Sequence, residues 1–194
     1  MKRSKNRKDE IYAVAASLFR KQGYVASTMR DIAELVGIEA SSLYSHIKSK
    51  EEILITICTT CAEEFDEGMQ RIKDSNLSNP DKIDALIDLH LDIAYNKPSS
   101  VTVFDDEWRH LPEKELKSFL KKRNAYEANF KSILKDGMEK GEFVTLSDST
   151  AFHLIINCVK WVHYYSKRIS KDRFDSKRSD IKSFISRGLF SKMN

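Results

Sequence analysis

Tyr44, His46, Lys48 and Lys50 crowd hydroxyl, imidazole and ammonium donors into a short segment, the set of groups that reaches phosphate oxygens. Just ahead of and among them, Ala40, Ser41, Ser42 and Ser45 are small. They let a helix backbone approach base edges, and their hydroxyls can meet either a base or a phosphate. A basic tail, Lys2, Arg3, Lys5, Arg7 and Lys8, could follow a sugar-phosphate backbone or enter a minor groove. Charge agrees with this chemistry. The chain has 194 residues and a formal net charge of +4, yet residues 1–50 hold ten Lys/Arg against five acids, so the rest of the chain is nearly neutral. A basic segment on a neutral body points to a polyanion, double-stranded DNA first; a solvated basic tail is the alternative.

Other chemistries find less support. The six glycines are isolated, so there is no phosphate-cradling loop, and no Gly-x-Ser-x-Gly elbow occurs. Cys58 and Cys61 have the spacing of a redox or zinc pair, but the third cysteine is the distant Cys158, and core thiols are the simpler reading. Glu107 and His110 have the Glu-x-x-His spacing that puts two ligands on one helix face; di-iron bundles need two such motifs, and the chain has one. No metal, no cofactor and no catalytic residue is therefore expected. Three cysteines, an odd number, argue against a disulfide framework and fit a reducing cytoplasm. No apolar run follows the basic N-terminus, as a secretory signal requires, and none approaches the roughly 18 residues of a membrane span.

The elements that must carry the donors are helical. Few Gly and Pro with abundant Leu, Ile, Ala, Glu and Lys predict an all-α protein. Ile11, Ala15, Leu18 and Phe19 recur at helical spacing until Gly23, which predicts a helix over about 9–22. Thr28 is a good N-cap with Asp31 three residues on; Met29, Ile32, Ala33 and Val36 follow, ended by Gly37. A second short helix runs from Ala40 to His46, with Leu43 and Ile47 facing inward, and Ser49-Lys50-Glu51-Glu52 reads as a capping box that opens a fourth. Helix, short helix, turn, short helix, long helix is the layout of a helix-turn-helix.

The run from Ile11 to Leu54, with AASLFRKQGY and TMRDIAELVGIEASSLYSHIKSKEEIL, resembles the DNA-binding domain of the TetR/AcrR family of transcriptional regulators. The resemblance implies that Thr28 caps the second helix beside a phosphate, Tyr44 contacts the backbone and Lys50 anchors the fourth helix to a phosphate. It also implies that residues 39–42 and 45 face bases. Ser41 stands where Gly is frequent in the family, and Ile47 where Phe is usual.

Beyond residue 50 the helical pattern continues. Ile53, Leu54, Ile57, Cys61, Phe65, Met69 and Ile72 trace one face of a long helix; Asn79-Pro80 opens the next, Pro98 breaks it, and segments at about 99–110 and 112–139 follow. Residues 148–166 are apolar on nearly all sides, which predicts burial on two faces, one inward and one against a second chain. Phe152, Ile155, Ile156, Val159 and Val162, with Ile181, Phe184 and Ile185 from a later amphipathic helix, are the expected dimer interface, and the family resemblance implies the same. A central core helix in a monomer is the alternative. In the middle, His90, Phe104, Trp108, Arg109, His110, Arg123 and Tyr126 combine aromatics with cationic donors, as an amphipathic ligand requires; ordinary core and surface roles explain most of them singly. Residues 107–143 are similar to TetR-like regulators of fatty-acid or steroid-fragment degradation, which implies an acyl-CoA effector with Arg123 near its charged part.

The expectation is thus a helix-turn-helix head at 1–50 on a helical effector-binding and dimerisation body at 51–194. Its function is a ligand-responsive homodimeric repressor of a palindromic operator. A helical-bundle enzyme or cofactor-binding protein with an incidental basic arm is the other reading.

Overall fold

The computed structural model describes residues 7–165 and 169–190. They form ten α-helices: α1 (Arg7–Gln22), α2 (Met29–Val36), α3 (Ala40–His46), α4 (Lys50–Lys73), α5 (Asn79–Asn96), α6 (Pro98–Asp106), α7 (Glu113–Glu139), α8 (Asp148–Lys160), α9 (Val162–Tyr165) and α10 (Lys171–Leu189). A 3-10 turn, Trp108–His110, lies between α6 and α7. The sole extended pairing among the described residues is a bridge between Phe143 and Phe190. Arg3 and Lys5, expected on DNA, lie outside the described residues.

Local chemistry sets the boundaries. The Thr28 hydroxyl accepts from the Asp31 amide at 3.1 Å and the Asp31 carboxylate accepts from the Thr28 amide at 2.9 Å, so two orphan donors of α2 are satisfied reciprocally. Gly37 ends α2 with φ 74°, a left-handed conformation that glycine adopts without cost. The box at α4 is split. Ser49 accepts from the Glu52 amide as expected, but the Glu52 carboxylate takes the amide of Lys48, one residue further out than the motif predicts. The helix expected over 148–166 breaks at Trp161, which separates α8 from α9.

Two compact units result. One comprises the described residues up to Ala62 with Ser99–Leu120; the other comprises Glu63–Pro98 with the described residues from Lys121 onward. The core of the first is built from Ile11, Ala15, Phe19, Ile32, Leu43, Ile47, Ile53 and Leu54, joined by Val103, Leu111 and Phe119 from far along the chain. That of the second is built from Ile83, Leu86, Leu91, Phe130, Leu134, Phe152, Val159, Phe174 and Ile185. A linear cut at residue 50 therefore differs from the packing: the first part of α4, to Ala62, belongs to the head, and α6 with the start of α7 completes the head's core. At Gly68 a Cβ would sit 2.5 Å from a Leu89 methyl, so the missing side chain lets Leu89 of α5 lie directly on α4.

Candidate nucleic-acid interface and body sites

Two buried anchors, Leu43 and Ile47, tie α3 into the head core and turn the rest of the helix outward. Ser41, Ser42, Tyr44, Ser45 and Lys48 are exposed, Tyr44 by 54%, while Ala40 and His46 are half-buried. The structure thus brings these expected residues onto one outward face. The Ser45 hydroxyl donates to the Ser42 carbonyl at 2.7 Å, which leaves its oxygen as an acceptor. Thr28 is exposed at the start of α2.

Lys50, expected on a phosphate, has partners within the head. Its ammonium donates to the carbonyl oxygens of Ser27 at 2.7 Å, Tyr24 at 2.8 Å and Val25 at 3.3 Å, and it sits 4.4 Å from the centre of the Tyr24 ring. An ammonium has three N–H donors, so these three carbonyls can take all of them. Glu107, half of the Glu-x-x-His spacing, has a backbone partner. Its carboxylate accepts from the Tyr24 amide at 3.2 Å and lies 3.4 Å from the His110 imidazole. Among the described residues no group of three or more His, Cys, Asp or Glu could hold a metal ion. Cys58 and Cys61 are buried, and burial above all pushes the Cys58 thiol up to about 12, far from the thiolate that redox chemistry needs.

The residues expected around a ligand divide between the units. Phe104 and Trp108 pack on Phe119, at ring distances of 5.3 and 5.8 Å, as part of the head's apolar cluster, and the exposed Arg109 lies over Trp108. In the other unit His90 Nε2 and the Tyr126 hydroxyl are hydrogen-bonded at 2.8 Å, with the Phe65 ring 4.7 Å from the imidazole. Phe65 read as a face residue of a long helix; its partnership with His90 depends on a fold that the local pattern does not contain. Burial lowers the His90 imidazole to about 4 and raises the Tyr126 phenol, so both are neutral near pH 7. Arg123 is on the exposed side of α7.

Most residues expected on a dimer face lie inward. Phe152, Ile155, Val159, Val162, Ile181 and Ile185 are buried in their own unit's core, and Ile156 is half-buried against it. Phe184 is exposed by 72%. The outward apolar residues are Leu154, Trp161 and Tyr165 at i, i+7 and i+11, with Leu146, Tyr164 and Phe184. A groove of about 620 Å³ runs between α8 and α10, lined by Leu146, Leu154, Cys158, Phe184 and Gly188 with Asp180 and Arg187 as its charged residues. No described helix is long and apolar enough to cross a membrane.

Comparison with known proteins agrees with this architecture. Residues 11–57 match the family model "Bacterial regulatory proteins, tetR family", and residues 76–165 match "Tetracyclin repressor-like, C-terminal domain". The HTH-type transcriptional repressor KstR2 of Mycolicibacterium smegmatis is 28% identical over 158 residues, covering 81% of this chain and 77% of that protein. The HTH-type transcriptional regulator QacR of Staphylococcus aureus is 25% identical over 158 residues, covering 81% and 84%. Among solved structures, the ketosteroid transcriptional regulator KstR2 of Mycobacterium tuberculosis superimposes with a TM-score of 0.89 at 21% identity over 98% of both chains. AibR, solved with isovaleryl coenzyme A and operator DNA, gives 0.77 at 16% identity over 94% and 98%. Two family models in the expected order, on an all-helical fold with a capped helix-turn-helix, show that this chain belongs to the TetR family and is a DNA-binding transcriptional regulator, not an enzyme.

Proposed function

We propose that the chain is a homodimeric repressor whose head, around residues 1–50, lays α3 in the major groove of a palindromic operator. Its body, around 51–194, carries the dimer contact and a small-molecule effector site. The observation that carries the reading is the outward row on α3. Ser41, Ser42 and Ser45 would meet base edges, with Ala40 giving close approach. Tyr44, His46, Lys48 and the exposed Thr28 would meet phosphates. Supporting the dimer are the exposed apolar residues of α8 and α10, Leu154 and Phe184 above all, and the opposite charges in their groove. Two heads on one duplex need half-sites roughly 34–36 Å apart.

For the effector, the half-buried and neutral His90–Tyr126 pair beside Phe65 offers a polar anchor within apolar walls. The isovaleryl coenzyme A bound by AibR makes an acyl-CoA thioester the class to try first. The test is fluorescence anisotropy with DNA from upstream of the protein's own gene, against a scrambled duplex, at two salt concentrations, repeated with short-chain, long-chain and steroid-derived acyl-CoAs. Selective binding at two chains per duplex, relieved by one thioester, is the expected result. Equal affinity for both duplexes defeats the operator reading, and indifference to every thioester defeats the effector class.

A further inference from the structure

The turn between α1 and α2 is held in part by side chains from elsewhere in the head. Every carbonyl from Gly23 to Ser27 accepts a hydrogen bond. Gly23 takes the Ser27 hydroxyl at 2.7 Å, Ala26 takes the Gln22 side-chain Nε2 at 3.4 Å, and Tyr24, Val25 and Ser27 take the Lys50 ammonium. On the donor side the Tyr24 amide is held by Glu107, 83 residues away in sequence. The Tyr24 ring packs edge-on to Phe19 at 5.3 Å and stacks with His110 at 5.6 Å, and His110 is itself beside Glu107. Thr28, the cap of α2, follows this turn directly.

We propose that Lys50 and Glu107 are positioning residues for DNA binding. They clamp the 23–27 turn from its carbonyl and its amide sides and so fix where α2 begins. A turn of five residues, one of them Gly23 in the left-handed region, has no regular ladder of its own. Without the two side chains the Val25 and Ser27 carbonyls and the Tyr24 amide would turn to water, the Tyr24 carbonyl would keep only the Ser27 amide at 3.3 Å, and the entry angle of α2 would become variable. The cost falls on DNA affinity because a loosened head must be reordered on the duplex. Glu107 follows α6 immediately, so the helix-turn-helix is completed by a residue outside its own segment.

The experiment separates positioning from direct phosphate contact. Lys50→Met, Glu107→Ala and Glu107→Gln are compared with the wild-type protein on a duplex that the wild type itself selects from a random pool, across a salt series. Exchange of the Tyr24 amide is followed by NMR on the free proteins. Lys50→Met should bind about tenfold more weakly with an unchanged salt slope, because a lost phosphate contact flattens that slope by about one per protomer and a loosened turn does not. Glu107→Ala should weaken binding to a similar degree and speed exchange at Tyr24. Glu107→Gln, which keeps an oxygen for that amide, should restore both. A flattened slope for Lys50→Met overturns the clamp in favour of a phosphate contact. Affinity within twofold of wild type for Glu107→Ala, or no rescue by Gln, overturns the part given to Glu107. Should Glu107→Ala fail to fold, Lys50→Met and Glu107→Gln still decide through the slope and the Tyr24 amide.

Discussion

His90 and Tyr126 meet at 2.8 Å, Nε2 to hydroxyl, across a gap of 36 residues and against the face of Phe65. An imidazole taken out of water with only a neutral partner resists protonation, which is why burial brings it down to about 4 from an ordinary 6.5. The unfolded chain therefore binds the His90 proton more readily than the native protein between pH 6.5 and 4. Stability is retained above 6.5 and lost as the pH falls through that window, by about 2 kcal/mol between pH 7 and 5 from this residue alone. Urea unfolding of the wild type and of His90→Gln at the two pH values isolates the contribution. The Gln variant should lose less stability on acidification. Equal losses would mean that His90 titrates normally in the folded protein.

Leu43 and Tyr44 are sequence neighbours on α3 with opposite fates, one fully buried and one 54% exposed. Leu43→Ala should remove about 2–5 kcal/mol of stability by opening a cavity in the head core. Tyr44→Ala should leave the melting transition nearly unchanged and weaken operator binding, since it removes a solvent-facing donor to phosphate. Thermal unfolding and anisotropy on the two variants should give crossed results. A Tyr44→Ala protein with full affinity would remove Tyr44 from the interface.

An acidic row on α5 is zipped to a basic pair on α10. Arg178 donates to Asp88 at 3.0 Å and also to Asp92, while Lys182 sits 2.7 Å from both Asp84 and Asp88. Asp88 therefore faces two cations. Removing one leaves carboxylates four residues apart with half their compensation. Arg178→Ala should cost about 1–2 kcal/mol at low salt, more than an isolated surface pair, because the guanidinium is largely covered and the charges act as a network. The deficit should shrink as salt rises toward about 1 M, where screening acts within roughly 3 Å. Chemical denaturation at two ionic strengths measures this directly; a deficit insensitive to salt would assign the loss to packing by the Arg178 stem.

Local signals were readable and distant ones were not. Thr28 with Asp31, and Gly37 with its left-handed φ, are set by neighbours within a few residues, so spacing alone announced α2 and its ends. The head's core was half legible: Ile11 to Leu54 carry the period, but Val103, Leu111 and Phe119 join from a segment whose own pattern is that of any amphipathic helix. On α8 the hydrophobic side chains nearly encircle the axis, so composition could not say which stripe turns inward. Ile155 and Leu154 are equally apolar and adjacent, yet one is 4% exposed and the other 58%. For Lys50 and Glu107, residue type suggested a phosphate and a metal. Their actual partners are backbone atoms of a turn, and backbone atoms carry no mark in a sequence.

The outer stripe of α10 also predicts how two chains would register. Asp180 and Arg187 line the groove seven residues apart, with the exposed Phe184 between them. In an isologous interface residue i meets j and j meets i. A two-fold axis passing near Phe184 sets Asp180 of each chain beside Arg187 of the other, twice, and buries both Phe184 rings together. Phe184→Glu should give a folded monomer, because it places two charges at the centre of the contact without touching either unit's core. Asp180→Arg and Arg187→Asp should each raise the dimer dissociation constant about tenfold or more, since each puts like charges opposite one another at both ends of the helix pair. Combining the two reversals should restore the dimer. Sedimentation velocity over a concentration series distinguishes the cases: recovery in the double variant supports this register. Single reversals that leave the mass unchanged, or a double variant no better than either, would place the two-fold axis elsewhere.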